Sequence, residues 1–235
     1  MDTDRFGFRV SRITVPSAAT DVNLDDVLDA VHDDPSDVWI LRYPARQNAW
    51  FAELMRRGFD VLFADSLTYW ALEAGSGRTP QPVTNASVSP AGEAPSGLVD
   101  ELVADAFHGY GNHYTADPLF DPALALAGYQ DWARRAIKSG DSLLLNVLGE
   151  PVGLMISTTG TDTSEMLLGG VVASQQGRGW YAHILSAVET AALRKGAHRV
   201  VSSTQSHNTN GQRAWARYGF EPIASHITVH LRRST

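Results

Sequence analysis

The stretch Val171-Val172-Ala173-Ser174-Gln175-Gln176-Gly177-Arg178-Gly179 joins two hydrophobic rhythms. Behind it the chain alternates as a strand does. Ahead of it, Tyr181, Ile184, Leu185, Val188 and Ala192 recur on one helical face. A β-branched strand therefore runs into Gln-Gly-Arg-Gly, and a helix starts there. Glycine lets the backbone turn tightly and approach a ligand closely. The first N–H groups of a helix lack internal partners, and the helix dipole favours an anion beside them, such as a pyrophosphate. Arg178 adds a charge-assisted donor. Taken alone, Gly-x-Gly before a helix serves equally well as a tight corner with no ligand, so the flanking elements must decide.

Outward from this turn, the periodicity predicts three meander strands, Ser142–Leu148, Pro151–Thr158 and Ser164–Val172. After the turn come a helix to about Lys195 ending at Gly196, a strand Arg199–Thr204, a helix Thr209–Arg217 and a strand Ile223–Leu231. Upstream, Leu98, Leu102, Val103 and Phe107 share a helical face, and a second helix spans Ala123–Ser139, closed by Gly140. Between them lies the irregular stretch HGYGNHYTADPLFDP. Residues 75–97 are rich in Gly, Pro and Ser and read as a linker, with Val83–Ser89 available as the first strand of the larger domain. Residues 1–74 alternate strand and helix as a small α/β unit: Phe8–Val15, Leu24–His32 capped by Asn23, Val38–Tyr43, Gln47–Arg57 ended by Gly58, and Val61–Leu72. The expected organisation is thus an N-terminal α/β domain (1–74), a linker (75–97) and a larger domain (98–235). The corner LMRRGFDVLFADSLTYW echoes RAWARYGFEPIASHITVH, as a diverged duplication would; any helix–glycine–strand corner looks similar.

The 235 residues are 43% hydrophobic and 19% charged, the balance of a chain with a real core. A net charge of −7 argues against a broad nucleic-acid surface. With no cysteine there are no disulfides, cysteine–zinc sites or thiol nucleophiles, and a reducing cytoplasm fits. The opening MDTDRFGFRV has no signal-peptide pattern, and no run approaches a membrane span. Neither a Walker loop nor a Gly-x-Ser-x-Gly elbow is present. His226 and His230 share a strand face without an HExxH motif, so no metal is expected.

The order of elements, together with Gln176-Gly177-Arg178-Gly179-Trp180-Tyr181, resembles the GNAT superfamily of acetyltransferases, whose signature is Gln/Arg-x-x-Gly-x-Gly/Ala. Tyr181 replaces the last small residue. A second family signature, an Asn followed downstream by Gly-Phe, is matched by Asn208, Gly219 and Phe220. The resemblance implies a mixed, splayed central sheet preceded by a smaller, half-GNAT-like α/β part. It implies acetyl-CoA or another acyl-CoA as co-substrate, lying between strands 164–172 and 199–204. Implied contacts are Val171, Val172, Gln176, Gly177, Arg178, Gly179, Tyr181 and Asn208, with the Val172 N–H polarising the thioester carbonyl as an oxyanion donor. The amine attacks directly, so no protein nucleophile is required. Where the family often places a proton-donating tyrosine, this chain has Trp215, whose indole N–H is a donor but no acid at neutral pH. Trp215 is expected to line the thiol pocket, with water or a neighbouring group supplying the proton.

A closer resemblance is to the branch that acylates nucleotide-linked amino sugars, like TDP-fucosamine acetyltransferases. It is carried by His113-Tyr114-Thr115-Ala116-Asp117-Pro118 and Tyr129-Gln130-Asp131-Trp132. His113, Tyr114, Asp117, Tyr129 and Trp132 are the implied acceptor residues; aromatic faces suit a base or a sugar ring. The same residues also read as a turn and a core. His113 is the first candidate base, with pKa suited to an ammonium acceptor, and His207 the second. Gly169-Gly170 stand where some relatives carry a base carboxylate. The expected partner is a small-molecule amine, with no nucleic acid or membrane and with a homodimer left open. Alternatives are an antibiotic, amino-acid or protein amine as acceptor, or a non-catalytic acyl-CoA-binding protein.

Overall fold

The computed structural model describes residues 2–92, 94–139 and 141–234. In chain order, α1 (Asp2–Phe6), β1 (Val10–Thr14), α2 (Leu24–Asp33), β2 (Val38–Pro44), α3 (Ala49–Arg56) and β3 (Phe59–Glu73) come first. Next are β4 (Ala86–Pro90), α4 (Ser96–Ala106), α5 (Pro122–Ser139), β5 (Leu143–Val147), β6 (Glu150–Thr159) and β7 (Thr163–Val171). The chain ends with α6 (Trp180–Arg194), β8 (Arg199–Gln205), α7 (Thr209–Tyr218) and β9 (Glu221–Arg233). The short α1 has no counterpart in the hydrophobic periodicity, and the expected stop at Gly140 lies outside the described residues.

Contacts divide the chain into two compact units, and the division departs from boundaries near 74 and 98. Unit 1 is Met1–Thr68, Gly111–Ala125 and Ala224–Thr235; unit 2 is Tyr69–Tyr110 and Leu126–Ile223. Long-range pairing of β9 and packing of the 111–125 segment decide this, and neither leaves a trace in local composition.

In unit 1, β1 pairs parallel with β2, and β2 pairs antiparallel with β9. Helix α2 begins where Asn23 accepts from Asp26 N–H (3.1 Å) while Asp26 accepts from Asn23 N–H (2.9 Å), a reciprocal capping box. Its Leu24, Val27, Leu28 and Val31 are buried with Trp39, Leu41 and Tyr43 of β2 and Val229 and Leu231 of β9. Strand alternation sends the intervening residues to the opposite face: Arg12 and Ile40 align with His230, and Arg42 aligns with Thr228. That second face is polar yet buried at Thr228 and His230.

In unit 2 the sheet order is β8-β7-β6-β5-β4, with the end of β3 beside β8. On one side Ile184, Leu185, Val188 and Ala192 of α6 pack on Leu145, Val152, Met155 and Val171. On the other, Val99, Leu102 and Val103 of α4 and Ala133 and Ile137 of α5 cover Leu144, Leu154, Ile156 and Leu168. The segment expected as a linker is tied down at two places. β4 pairs with β5, Ala86 opposite Val147 through Pro90 opposite Leu143. The buried Glu189 carboxylate accepts Gly75 N–H (2.7 Å), Gly77 N–H (2.9 Å) and the Tyr218 hydroxyl (2.6 Å). A Cβ on Gly77 would lie 2.3 Å from Glu189 Oε2. Glu189→Ala leaves three donors without their acceptor and is expected to destabilise the protein by about 3 kcal/mol, read from urea unfolding. A loss under ~1 kcal/mol would show that this clamp is not structural.

The two halves repeat an element order. Strand, helix and parallel strand are followed by helix, Gly-Phe and strand, in β1-α2-β2-α3-β3 and again in β7-α6-β8-α7-β9. Gly58 and Gly219 both adopt positive φ at the helix–strand corner, +85° and +125°. The closing strands are exchanged: β9 completes unit 1, and the end of β3 belongs to unit 2.

Candidate active site

Strands β7 and β8 are paired only at their beginnings, from Thr163 opposite Arg199 to Met166 opposite Ser202. Beyond that, Leu167–Val171 and Ser203–Gln205 are unpaired with each other. The cause lies on the other edge of β7. Ile156 of β6 faces Leu168, but Ser157 faces Met166, so Leu167 is the extra residue of a bulge. A bulge bends its strand and sharpens the local twist. β7 turns away from β8 where the bulge falls, and a V opens between two parallel strands.

The glycines of β7 are explained by neighbours rather than by a missing base. A Cβ on Gly169 would stand 2.4 Å from Met155 Cε, and one on Gly170 would stand 2.8 Å from Ala106 Cβ. The C-terminal end of α4 therefore lies against β7.

After β7 a single 3-10 turn, Ala173–Gln175, leads into the glycine loop. Gly177 and Gly179 adopt φ of +75° and +83°, the left-handed region that favours glycine. Helix α6 then starts with no side-chain cap and no acidic residue in its first turn. Among the described residues, the N–H groups of Gly177, Arg178, Gly179, Trp180 and Tyr181 have no protein acceptor. Helix α2 differs: its N-terminus is closed by Asn23 and flanked by Asp25 and Asp26. The Gln176 amide turns back to donate to Val171 O (2.8 Å), fixing the loop to the strand.

The structure corrects one expected donor. The Val172 N–H donates to Val152 O at 2.8 Å and is engaged in the sheet. Successive residues of a strand send N–H groups to opposite edges. Those of Val171 and Gly169 therefore face the V, as the Gln176 bond to Val171 O on that edge confirms. Asn208 is also occupied. Its Oδ1 caps α7 by accepting Gly211 N–H (3.0 Å), and its Nδ2 donates to Thr204 Oγ1 (2.8 Å).

Side chains that sequence reasoning missed crowd the open end of the V. The Tyr110 hydroxyl bonds Thr204 Oγ1 (2.9 Å) and donates to Gln205 Oε1, at the end of β8. An aromatic run leads away from it. Tyr110 meets the exposed His207 (ring centroids 5.7 Å) and the edge of Phe107 (5.4 Å). Phe107 stacks on Tyr129 (6.3 Å, interplanar 9°), and Tyr129 meets Trp132 (6.3 Å). The aromatic content of the 108–114 stretch is visible in the sequence; the reach of Tyr110 to β8 is not. Trp215 is buried beside Trp70 and Phe220, and its Nε1 donates to the Tyr181 hydroxyl (3.2 Å). Burial pushes the Tyr181 phenol up to about 12, with the indole hydrogen bond acting in the opposite direction.

The remaining acceptor residues belong to unit 1. His113 is 4% exposed, and its Nδ1 lies 3.2 Å from His230 Nε2. His230 Nδ1 lies 2.9 Å from Asp117 Oδ2, and Asp117 is 1% exposed. With Asp117 accepting from His230 Nδ1–H, His230 Nε2 is left to accept from His113 Nδ1–H. His113 thus belongs to a buried relay rather than to an open loop surface, which revises its expected setting. Burial first, then Arg12, His230 and Arg42, hold its imidazolium well below the usual histidine range. Tyr114 is likewise interior, its hydroxyl bonded to Arg12 and Asp2 (3.1 Å to the latter). The structure therefore joins Tyr129 and Trp132 to the V through Phe107 and Tyr110, and joins His113, Tyr114 and Asp117 to one another.

Among the described residues, no group of three or more His, Asp or Glu side chains is arranged to hold a metal ion, and no helix is long and apolar enough to cross a membrane.

No protein-family model matches the sequence, and a search of curated proteins finds no match. Solved structures do. A GCN5-related N-acetyltransferase from Sphaerobacter thermophilus superposes with TM-score 0.59 at 16% identity over 90% of this chain, which spans 65% of that protein. A tandem GNAT protein from the clavulanic acid biosynthesis pathway gives 0.59 at 13% identity, covering 89% of this chain and 67% of the other. A GCN5-related glucosamine N-acetyltransferase region of a fungal multi-domain β-N-acetylglucosaminidase gives 0.57 at 12% identity, covering 92% and 28%. With its mixed sheet, bulged β7, opened strand pair and glycine turn into α6, the chain has the fold of the GCN5-related N-acetyltransferases.

Proposed function

We propose that this protein transfers an acyl group, acetyl in the simplest case, from acyl-CoA to the primary amine of a small molecule. The single observation that carries this reading is the run of acceptor-free N–H groups from Gly177 to Tyr181 beside the opened β7–β8 pair. Five acceptor-free amides, a helix N-terminus and Arg178 suit a diphosphate. The V beside them accepts an extended arm, with Val171 and Gly169 amides along its wall to bond that arm and polarise a thioester carbonyl. Val171 takes the donor role expected of Val172. Attack by an amine on that carbonyl forms the C–N bond and expels the thiolate, and fixed amides at the developing oxyanion lower the barrier.

For the acceptor we favour an amino sugar, including nucleotide-linked ones. The aromatic run from Trp132 through Tyr129 and Phe107 to Tyr110 offers ring faces suited to a sugar or base. The glucosamine N-acetyltransferase region of the same fold acts on such an amine. His207, exposed beside Tyr110, is the imidazole of unit 2 placed at the end of β8.

The test combines calorimetry with acetyl-CoA and thiol release against glucosamine, dTDP-fucosamine, kanamycin and lysine. Association with acetyl-CoA is expected, with release fastest for an amino sugar. At ~100 times Kd the coenzyme should stabilise the fold by roughly 2.7 kcal/mol. Absence of any association would refute the donor site; association without release would identify a binding protein instead.

A further inference from the structure

We propose that unit 1 carries a ligand site of its own, in which the Arg42 guanidinium takes the oxyanion of a phosphorylated or carboxylated small molecule, flanked by His113 and His226. The site uses no residue of the donor loop, and it stands or falls apart from the acyl-transfer reading.

Three strands bring these groups to one face of the sheet. β2 and β9 pair with Ile40 opposite His230, Arg42 opposite Thr228 and Pro44 opposite His226. Arg42 is therefore level with Thr228, and His226 and His230 flank that position along β9, roughly 7 Å to either side. On the other flank Thr14 of β1 aligns with Arg42 and is exposed. Arg42 itself is half-buried. Its Nε donates to Thr228 Oγ1 (3.1 Å), which fixes the guanidinium plane. Among the described residues, its two Nη groups have no acceptor and no carboxylate makes an ion pair with it. Other guanidiniums of unit 1 differ: Arg9 is held by Asp37 (3.0 Å), Arg12 by Asp2 (2.7 Å) and Arg232 by Asp60 (2.9 Å). The chain has 26 Asp and Glu residues, yet none is placed on Arg42. A partly desolvated cation without a counter-ion is costly. Its free Nη1–Nη2 fork matches two oxygens of a phosphate or carboxylate.

The flanking imidazoles respond to the same charge. His226 Nε2 lies 3.2 Å from the Val15 carbonyl and 3.4 Å from Ser17 Oγ. His113 gives its Nδ1–H to His230, and its Nε2 has no partner among the described residues. Burial first, then Arg12, His230 and Arg42, disfavour a proton on His113. Burial first, then Arg42 and Arg46, disfavour one on His226, against the bond to Val15. Behind His113, Asp117 and Asp65 act on His230 in the opposite sense. An oxyanion on Arg42 cancels the charge that repels these protons. Anion binding and protonation of His113 and His226 therefore favour each other.

The experiment titrates the full chain with sodium sulfate, which keeps its charge over the range used, at pH 7.5 and pH 6.0 and constant ionic strength. Calorimetry and melting temperature are recorded for wild type, Arg42→Gln, Thr14→Glu and Arg9→Gln. Sulfate can also meet the amides at the start of α6, so the part lost in Arg42→Gln reports unit 1. Arg42→Gln is expected to weaken that association at least ~10-fold, and Arg9→Gln to change it less than about twofold. The wild-type Kd should fall about threefold from pH 7.5 to pH 6.0, with about a third of a proton taken up, and the fall should vanish in Arg42→Gln. Thr14→Glu supplies a carboxylate beside Arg42 from within the chain. It should melt higher than wild type and lose the same sulfate association, which keeps the test decisive if Arg42→Gln unfolds. Sulfate affinity unchanged in Arg42→Gln, or in Thr14→Glu where Arg42→Gln unfolds, overturns the site. Arg42-dependent binding that is equal at both pH values overturns the coupling to the histidines. Acetate at the same ionic strength separates the two sources: tighter sulfate assigns a phosphate group to the ligand, and tighter acetate a carboxylate.

Discussion

Gly179→Val is expected to weaken acetyl-CoA binding by at least ~100-fold, about 2.7 kcal/mol or more. Two effects combine. At φ +83° a β-branched side chain is strained by roughly 1–2 kcal/mol, so the loop shifts toward negative φ. That shift rotates the Gly179 and Trp180 amides out of the array at the start of α6, and each charge-assisted bond to phosphate lost is worth about 1.5–3 kcal/mol. Titration calorimetry measures the effect. Gly7→Val is the control: Gly7 has φ +77° with open space around it, and it lies in unit 1. It should lower stability by a similar strain and leave donor affinity intact. Equal affinity in Gly179→Val and wild type would remove the anion site from this loop.

The second large effect is loss of stability in acid. His113, His226 and His230 are 4%, 3% and 0% exposed. Burial is the main cause lowering each of their pKa values, opposed at His230 by the hydrogen bond to Asp117 and at His226 by that to the Val15 carbonyl. Unfolded histidine takes up a proton near pH 6.5, whereas the folded protein resists it. Below that pH the unfolded state binds more protons, so stability is complete above about pH 6.5 and falls as pH drops further. The three contributions have the same sign and add, so stability declines between pH 7 and pH 5.5, with His113, the most strongly shifted, contributing most. Urea unfolding at pH 7.5, 6.5 and 5.5 should show the decline, and His226→Gln should make it shallower. A flat profile over that range would mean that the buried imidazoles accept protons freely in the folded state.

The glycine turn and its helix were legible because their causes are local. Positive φ at Gly177 and Gly179 and the apolar stripe of α6 are written in adjacent residues. The element order after residue 140 likewise arises from alternation and turn chemistry. The features that were not legible have non-local causes. Val172 and Val171 differ only in which edge of β7 they face, and that is fixed by register against Val152. His113 looked like a loop base because its neighbours His230 and Asp117 come from residues far apart in the chain or from the far side of a turn. Asn208 matched a motif, and the same residue proves to be the N-cap of α7.

The sequence by itself determined that a β-strand hands over to a helix through glycines whose amides are left without partners, because short-range sterics and periodicity act within a few residues. Only the tertiary structure decided where β7 parts from β8 and which amides line the opening. Those properties depend on a bulge at Leu167, on strand register, and on side chains meeting across elements: Trp215 with Tyr181, and Tyr110 with Gln205. Such pairings are set by the packing of the whole unit, and no window of sequence contains both members.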